Sequence, residues 1–205
     1  MEPTERNLRA WEAAHRRAPA PERGLPPQVR DSLGELRDRR VLHLGCGAGG
    51  ESVGFAELGA SVTGVEISES AVAAAHARTT SIVWIHADPE ALPVELQRGR
   101  FDLVYGGVGT LAGVTDLEAW CAGAAAALRP GGDVLLFDEH PAGLCVDSFL
   151  HWRGDYFAHG FRRLGHVVAA ALAHDLHVRA VEEYPSGTGR DATVPATFLL
   201  HARKS

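Results

Sequence analysis

A glycine-punctuated run over residues 41–68, VLHLGCGAGGESVGFAELGASVTGVEIS, constrains this chain more than any other segment. A short, mainly apolar strand (41–44) leads into Gly45, Gly47, Gly49 and Gly50, then a helix, then a second strand that ends at Glu66. Glycines at such a turn let the backbone bend sharply and approach a ligand, because no Cβ stands in the way. An acidic side chain at the tip of the second strand can accept hydrogen bonds from both hydroxyls of a ribose. The run therefore predicts a βαβ unit holding a nucleoside-containing cofactor over the carboxyl ends of two neighbouring parallel strands. The glycines alone leave the cofactor open, since Gly45-x-Gly47-x-x-Gly50 followed by Glu66 also fits the dinucleotide-binding fingerprint.

The rest of the chain narrows the choice. Residues 82–87 read as a third strand closed by Asp88. FDLVY follows at 101–105, then a helix-to-strand turn LRPGG at 128–132 and a strand at 133–137. VEEYP at 181–185 and PATFLLHARK at 195–204 close the chain as an antiparallel pair. Strands with little polar alternation, such as VLHL, IVWI and VLLF, indicate burial on both faces. Their alternation with helical segments implies a parallel sheet flanked on both sides.

In this order, over roughly residues 7–204, the segments resemble the class I S-adenosylmethionine (SAM) dependent methyltransferases of the small-molecule type. The resemblance implies a Rossmann-like, doubly wound, mostly parallel seven-stranded sheet with an antiparallel last strand and helices on both faces. A dehydrogenase explains neither LRPGG nor the antiparallel ending. It also implies cofactor contacts: Gly45, Cys46, Gly47 and Gly49 beside the amino acid portion and ribose, and Glu66 on the ribose hydroxyls. Ile67 would flank the adenine, Asp88 and Pro89 would meet its edge, and Tyr105 and Gly106 would offer carbonyls to the methionine ammonium. Residues 5–18 read as a polar, arginine-rich helix, and the pattern around Trp11 resembles an N-terminal cap that folds over bound cofactor.

SAM used in this way is converted to S-adenosylhomocysteine. The acceptor belongs where the fourth and fifth strands end. Strand five runs into Asp138-Glu139-His140-Pro141, which makes His140 the candidate general base, oriented by Glu139 or Asp138. A metal site there is not expected, because adjacent strand residues point to opposite faces. Residues 141–163, rich in aromatic side chains, read as a lid over the acceptor, with Asp138, His140, Trp152 and Tyr156 as candidate substrate contacts. The expected organisation is one domain, 1–205, with a helical cap at 1–36. The expected reaction is methyl transfer to an oxygen, nitrogen or carboxylate of a small molecule in bacterial specialised metabolism. The competing readings are the same fold used for an elimination or cyclisation, a non-catalytic cofactor-binding module, and a nicotinamide-dependent reductase.

Local signals fill in the helices. Residues 28–36 form a short helix after the proline-rich 19–27, 51–58 the first crossover helix, and Ser68 caps a helix at 69–78. Thr115 and Glu118 form a capping-box pair before an apolar stripe through Leu128, and residues 164–172 repeat helical spacing. A formal net charge of −6 argues against a nucleic-acid backbone as main partner. Three scattered cysteines give neither a disulfide framework nor a zinc ribbon, and Cys46 reads as a small structural residue in the turn. No apolar run reaches membrane-spanning length and no signal peptide is visible, so the chain reads as cytoplasmic. A single lysine, Lys204, among twenty Lys and Arg residues, together with abundant Ala and Gly, points to a GC-rich bacterial genome. The sequence leaves monomer and homodimer equally open.

Overall fold

Short runs of Val, Leu and Ile between glycine turns make strands, and a computed structural model assembles them into a single seven-stranded sheet. It describes residues 24–147, 149, 151–185 and 193–205, together with Glu5, Leu8, Arg9 and Glu12. The strands are β1 (Arg40–Leu44), β2 (Ser61–Glu66), β3 (Val83–His86), β4 (Phe101–Gly106), β5 (Leu128–Glu139), β6 (Leu176–Pro185) and β7 (Pro195–Lys204). The helices are α1 (Pro27–Ser32), α2 (Gly50–Glu57), α3 (Glu69–Arg78), α4 (Thr110–Gly113), α5 (Leu117–Ala127) and α6 (Leu164–Ala173). The sheet order is β3-β2-β1-β4-β5-β7-β6. β1 pairs in parallel with β2 and β4, β2 with β3, and β4 with β5, whereas β7 runs antiparallel between β5 and β6.

Alternate residues along each strand feed two cores. Leu42, Leu44, Val104, Leu136, Phe198 and Leu200 pack on one face with Trp120, Cys121 and Ala124 of α5 and Val167 and Ala170 of α6. Val41, Leu103, Tyr105, Leu135 and Leu199 pack on the other with Val29 of α1, Phe55 of α2 and Val72 and Ala75 of α3. Burial on both faces is what the continuous apolar runs required, and apolar burial is the main force holding the layers together. The chain winds outward in opposite directions from the β1–β4 boundary, so the loops after these two strands part and leave a crevice between them.

Local signals were met in most places and revised in three. Ser68 accepts the Ala71 amide and caps α3 as expected. The cap of α5 is Asp116, which accepts the Ala119 amide, rather than Thr115. The Thr115 hydroxyl instead donates to Glu90, a carboxylate that also accepts the amides of Thr115 and Asp116. A hydroxyl that donates to an ionised carboxylate makes a stronger bond than one that donates to a neutral acceptor, which holds Thr115 against Glu90. The LRPGG turn is spliced into β5: Leu128 pairs with Phe101, Asp133 with Leu103, and the residues between bulge out around Gly131 at φ +70°. The closing strands are also longer than VEEYP, because β6 starts at Leu176.

One packing contact braces the cofactor crevice from below. The Trp84 ring lies where Gly49 and Gly64 have no Cβ, and a Cβ on either would run into it. Its indole nitrogen donates to the Thr79 carbonyl at 3.0 Å, so the ring cannot simply swing away. Gly64→Ala should therefore cost about 1–3 kcal/mol by overpacking, read as a lower urea midpoint at unchanged m-value. A midpoint equal to that of the unsubstituted protein would show that the ring is not locked.

Candidate functional site

The crevice is built where three chain segments meet: the turn after β1, the tip of β2 and the exit of β4. Gly45 leaves β1 at φ +74°, Gly47 follows at +52° and Gly49 at +81°, a left-handed series that L side chains resist. Gly45 is exposed, and a Cβ placed on it would meet nothing within 4 Å. The turn therefore presents bare backbone to open space. The amides of Gly45 and Cys46 both donate to the Val65 carbonyl, at 2.8 and 3.0 Å, which fixes the turn against β2. Cys46 is buried and its thiol pKa is pushed up by burial and by the nearby Glu66 charge, so it stays protonated and structural.

Glu66 is buried at the tip of β2. One carboxylate oxygen accepts the Gly47 amide and the other the Ser68 amide, both at 2.9 Å. Each oxygen has a further lone pair, so the group can still accept from a vicinal diol. Ile67, half-buried, gives its carbonyl to His86 at 2.9 Å. Asp88 and Pro89 follow β3 on the same side. The Asp88 Oδ1 accepts the Glu90 amide at 2.8 Å, while burial raises the carboxyl pKa despite that bond. Asp88 Oδ2 has no protein hydrogen bond among the described residues. Glu12, from the helical N-terminal residues, binds the Ser70 hydroxyl at 2.8 Å just beyond Glu66, and these bonds lower its pKa. Trp11, the expected cap residue, lies outside the described residues.

The floor of the crevice holds groups that sequence reasoning missed. His43, the penultimate residue of β1, bonds through Nδ1 to the Ser52 hydroxyl at 2.8 Å and packs against Tyr105 with ring centroids 4.9 Å apart. Burial drives its pKa down to about 3, so it is neutral. Its Nε2 has no hydrogen-bond partner among the described residues and sits 3.9 Å from the Glu51 carboxylate. The Tyr105 phenol, also buried, has its pKa raised by burial and by the facing Glu51 carboxylate. Tyr105 thus brings a side chain to the site, where only its carbonyl was expected. Gly106, next to it, has no room for a side chain: a Cβ would lie 3.0 Å from both Leu136 and Trp120.

The expected acceptor residues divide. Asp138 is 2% exposed, and its carboxylate accepts the amides of Gly109, Leu111 and Glu139 at 2.7–2.8 Å. Burial pushes its pKa up to about 6 against these bonds. It therefore organises the β4–α4 loop, and its oxygens are engaged by the backbone. Glu139 is exposed, pointing the other way along the strand as the pleat dictates. His140 is buried: Nδ1 accepts the Ala142 amide at 3.0 Å and Nε2 lies 2.7 Å from a Glu183 oxygen. Acceptance of the Ala142 amide places the neutral ring's proton on Nε2, which makes no hydrogen bond of good geometry among the described residues. Burial lowers its pKa, opposed by Glu183. Trp152 is 57% exposed and Tyr156 half-buried, edge-on to Phe157 with centroids 5.3 Å apart. Arg162 closes this segment by donating to the carbonyls of Leu111 and Thr115.

An α/β crevice at a topological switch point is thus in place, and known proteins resemble the chain that builds it. Residues 41–132 match the family described as a methyltransferase domain. A malonyl-[acyl-carrier protein] O-methyltransferase of Pseudescherichia vulneris is 34% identical over 134 residues, 58% of this chain and 49% of that protein. A ubiquinone biosynthesis O-methyltransferase of Rhodopseudomonas palustris (strain HaA2) is 36% identical over 110 residues, 49% of this chain and 40% of its own. The chain spans about half the length, or less, of these two relatives. A crystal structure of an S-adenosylmethionine dependent methyltransferase from Mesorhizobium loti superposes with a TM-score of 0.73 at 27% identity, covering 87% of this chain and 96% of that one. The chain thus carries a segment similar to a methyltransferase domain and shares its fold with SAM-dependent methyltransferases.

The buried histidine also sets a pH dependence. The folded pKa of His43 lies below the unfolded value of about 6.5, so the native state binds fewer protons between those two values. Its contribution to stability is complete above about pH 6.5 and is lost as pH falls toward 3. One such proton gives a slope of about 1.4 kcal/mol per pH unit. His43→Gln, which does not titrate, should flatten the dependence of unfolding free energy between pH 6 and 4 by about that slope. Identical slopes for both proteins would show that His43 is not held neutral.

Proposed function

We propose that this chain transfers a methyl group from SAM to an oxygen, nitrogen or carboxylate of a small molecule, as a cytoplasmic step of bacterial specialised metabolism. The observation that carries this reading is the pairing of an open, left-handed glycine turn at Gly45 with the buried carboxylate of Glu66 across the switch point. Both relatives named above are O-methyltransferases, which favours an oxygen acceptor.

When bound, SAM supplies a sulfonium whose methyl group is already activated toward in-line displacement by a nucleophile. The protein's part is orientation and exclusion of water. Gly45, Cys46, Gly47 and Gly49 line the amino acid portion and ribose, and Glu66 accepts the ribose hydroxyls. Ile67, Asp88 and Pro89 border the adenine, with the spare Asp88 oxygen facing its edge, while Tyr105 and Gly106 border the methionine end. Residues 1–36, with Trp11, close over the cofactor, in keeping with the Glu12–Ser70 bond. Residues 141–163 form the lid over the acceptor, with Trp152 and Tyr156 as its aromatic wall. His140 positions the start of that lid by accepting the Ala142 amide through Nδ1. A general base is needed only where the acceptor is protonated at working pH, and Glu139 is the exposed carboxylate at the end of strand five.

Transfer of labelled methyl from SAM to a panel of phenols, carboxylic acids and amines tests the reaction directly. Consumption of an acceptor while SAM persists would instead support an elimination or cyclisation. Calorimetry with SAM, S-adenosylhomocysteine and NADH tests the cofactor, and tight binding of NADH alone would overturn the reading. Glu66→Ala should weaken S-adenosylhomocysteine by about 10- to 100-fold, the worth of charge-assisted hydrogen bonds. Equal affinity would remove Glu66 from the ribose.

A further inference from the structure

Thr115, between α4 and α5, is exposed, yet its amide, hydroxyl and carbonyl are all held by distant parts of the chain. The amide and hydroxyl donate to separate oxygens of Glu90, and the carbonyl accepts from Arg162 at 2.8 Å. Glu90 lies 25 residues upstream and Arg162 47 residues downstream. The Glu90 amide in turn donates to Asp88 Oδ1 at 2.8 Å, in the loop after β3. The other terminal nitrogen of Arg162 donates to the Leu111 carbonyl at 2.7 Å. A continuous line of hydrogen bonds thus runs from Asp88 through Glu90 and Thr115 to Arg162, at the end of the aromatic segment.

The exposure of Thr115 points to position, rather than burial, as the reason for this convergence. Buried polar groups bond to protein because water is absent, whereas an exposed threonine can bond to water at little cost. Holding a Glu and an Arg side chain in one arrangement around it costs rotamer entropy. Arg162 also brings a rigid planar fork to two carbonyls at once, which a single ammonium does not do. The residues just before it form a compact unit. Asp155 accepts the Phe157 amide through its side chain and the Ala158 amide through its carbonyl, and the Phe161 amide closes onto the Ala158 carbonyl. Tyr156 packs against Phe161 with ring centroids 5.7 Å apart. Arg162 seats this unit on α4 and Thr115, while the far end of the line is the residue assigned above to the adenine edge.

We propose that Glu90 and Arg162 are positioning residues that couple the adenine end of the crevice to the acceptor lid, with Thr115 as the junction between them. The proposal rests on the SAM reading of the crevice and on residues 141–163 as the lid. Adenine against Asp88 steadies the loop that carries Glu90. Glu90 then holds the amides of Thr115 and Asp116, which keeps the Thr115 carbonyl in place for Arg162. Bound cofactor therefore strengthens the seat of the lid before an acceptor arrives. Coupling between sites is reciprocal, so the seated lid tightens the cofactor by the same factor.

Hydrogen exchange of the Ala158 and Phe161 amides on the full chain reads the seat of the lid, with calorimetry reporting ligand binding. Saturating S-adenosylhomocysteine should slow both amides by about 5- to 150-fold, the usual range of coupling between sites. Saturating 5′-methylthioadenosine, which lacks the amino acid portion, should slow them equally, because the line starts at the adenine. In Arg162→Gln, S-adenosylhomocysteine should still bind but leave both rates unchanged. Slowing of undiminished size in that variant would overturn the proposal, as would slowing of the unsubstituted protein by S-adenosylhomocysteine alone. Should Arg162→Gln fail to fold, the comparison of the two ligands on the unsubstituted protein still decides. Failure of the unsubstituted protein to bind either adenosyl ligand would sink the cofactor reading and this coupling with it. Binding that leaves the two amides unchanged sinks the coupling alone.

Discussion

A single carboxylate, that of Glu66, ties the glycine turn to the start of α3. With one oxygen on the Gly47 amide and the other on the Ser68 amide, it holds the two loops that border the crevice at a fixed separation. Buried charge-assisted hydrogen bonds of this kind are strong because water does not compete for them. Ser68 in turn caps α3 through Ala71, and the turn is clamped to β2 through Val65. Position 66 therefore fixes the glycine turn and the start of α3 together, and a loop already held in one conformation loses little entropy on binding.

The β4 side of the crevice is organised by a second acid on the same logic. Asp138 gathers the amides of Gly109 and Leu111 and so fixes where the loop after β4 turns. Both acids sit at strand tips, and both act first on backbone amides that would otherwise be orphaned in a tight loop. The crevice end of the sheet is thus stabilised by polar contacts, while its middle is held by apolar burial.

Much of this was legible in the residues. The glycine series, the apolar strands and the LRPGG signal pointed, through the family resemblance, to a doubly wound sheet with an antiparallel ending, and the strand pairing has that form. Ser68 as a cap was readable from local chemistry alone. What was not readable depends on partners distant in sequence. Asp116 caps α5 in place of Thr115, whose amide and hydroxyl both donate to Glu90, 25 residues upstream. Asp138 reads as a reactive acid in sequence, and only the return of the β4 loop shows its oxygens engaged by backbone. His140 reads as a base for the same reason, and its Glu183 neighbour arrives from the edge strand β6. Glu51 and His43 sit inside the very motif that was read first. Both face Tyr105, which lies on another strand.

The contact that Arg162 makes with α4 has a further mechanical consequence. Its guanidinium holds the carbonyls of Leu111 and Thr115, while Asp138 holds the amide end of the same short helix. The aromatic segment and the wall of the crevice are therefore hinged on a shared post. Arg162 and Asp138 thus anchor the aromatic segment and the end of strand five to the same few residues of one short helix.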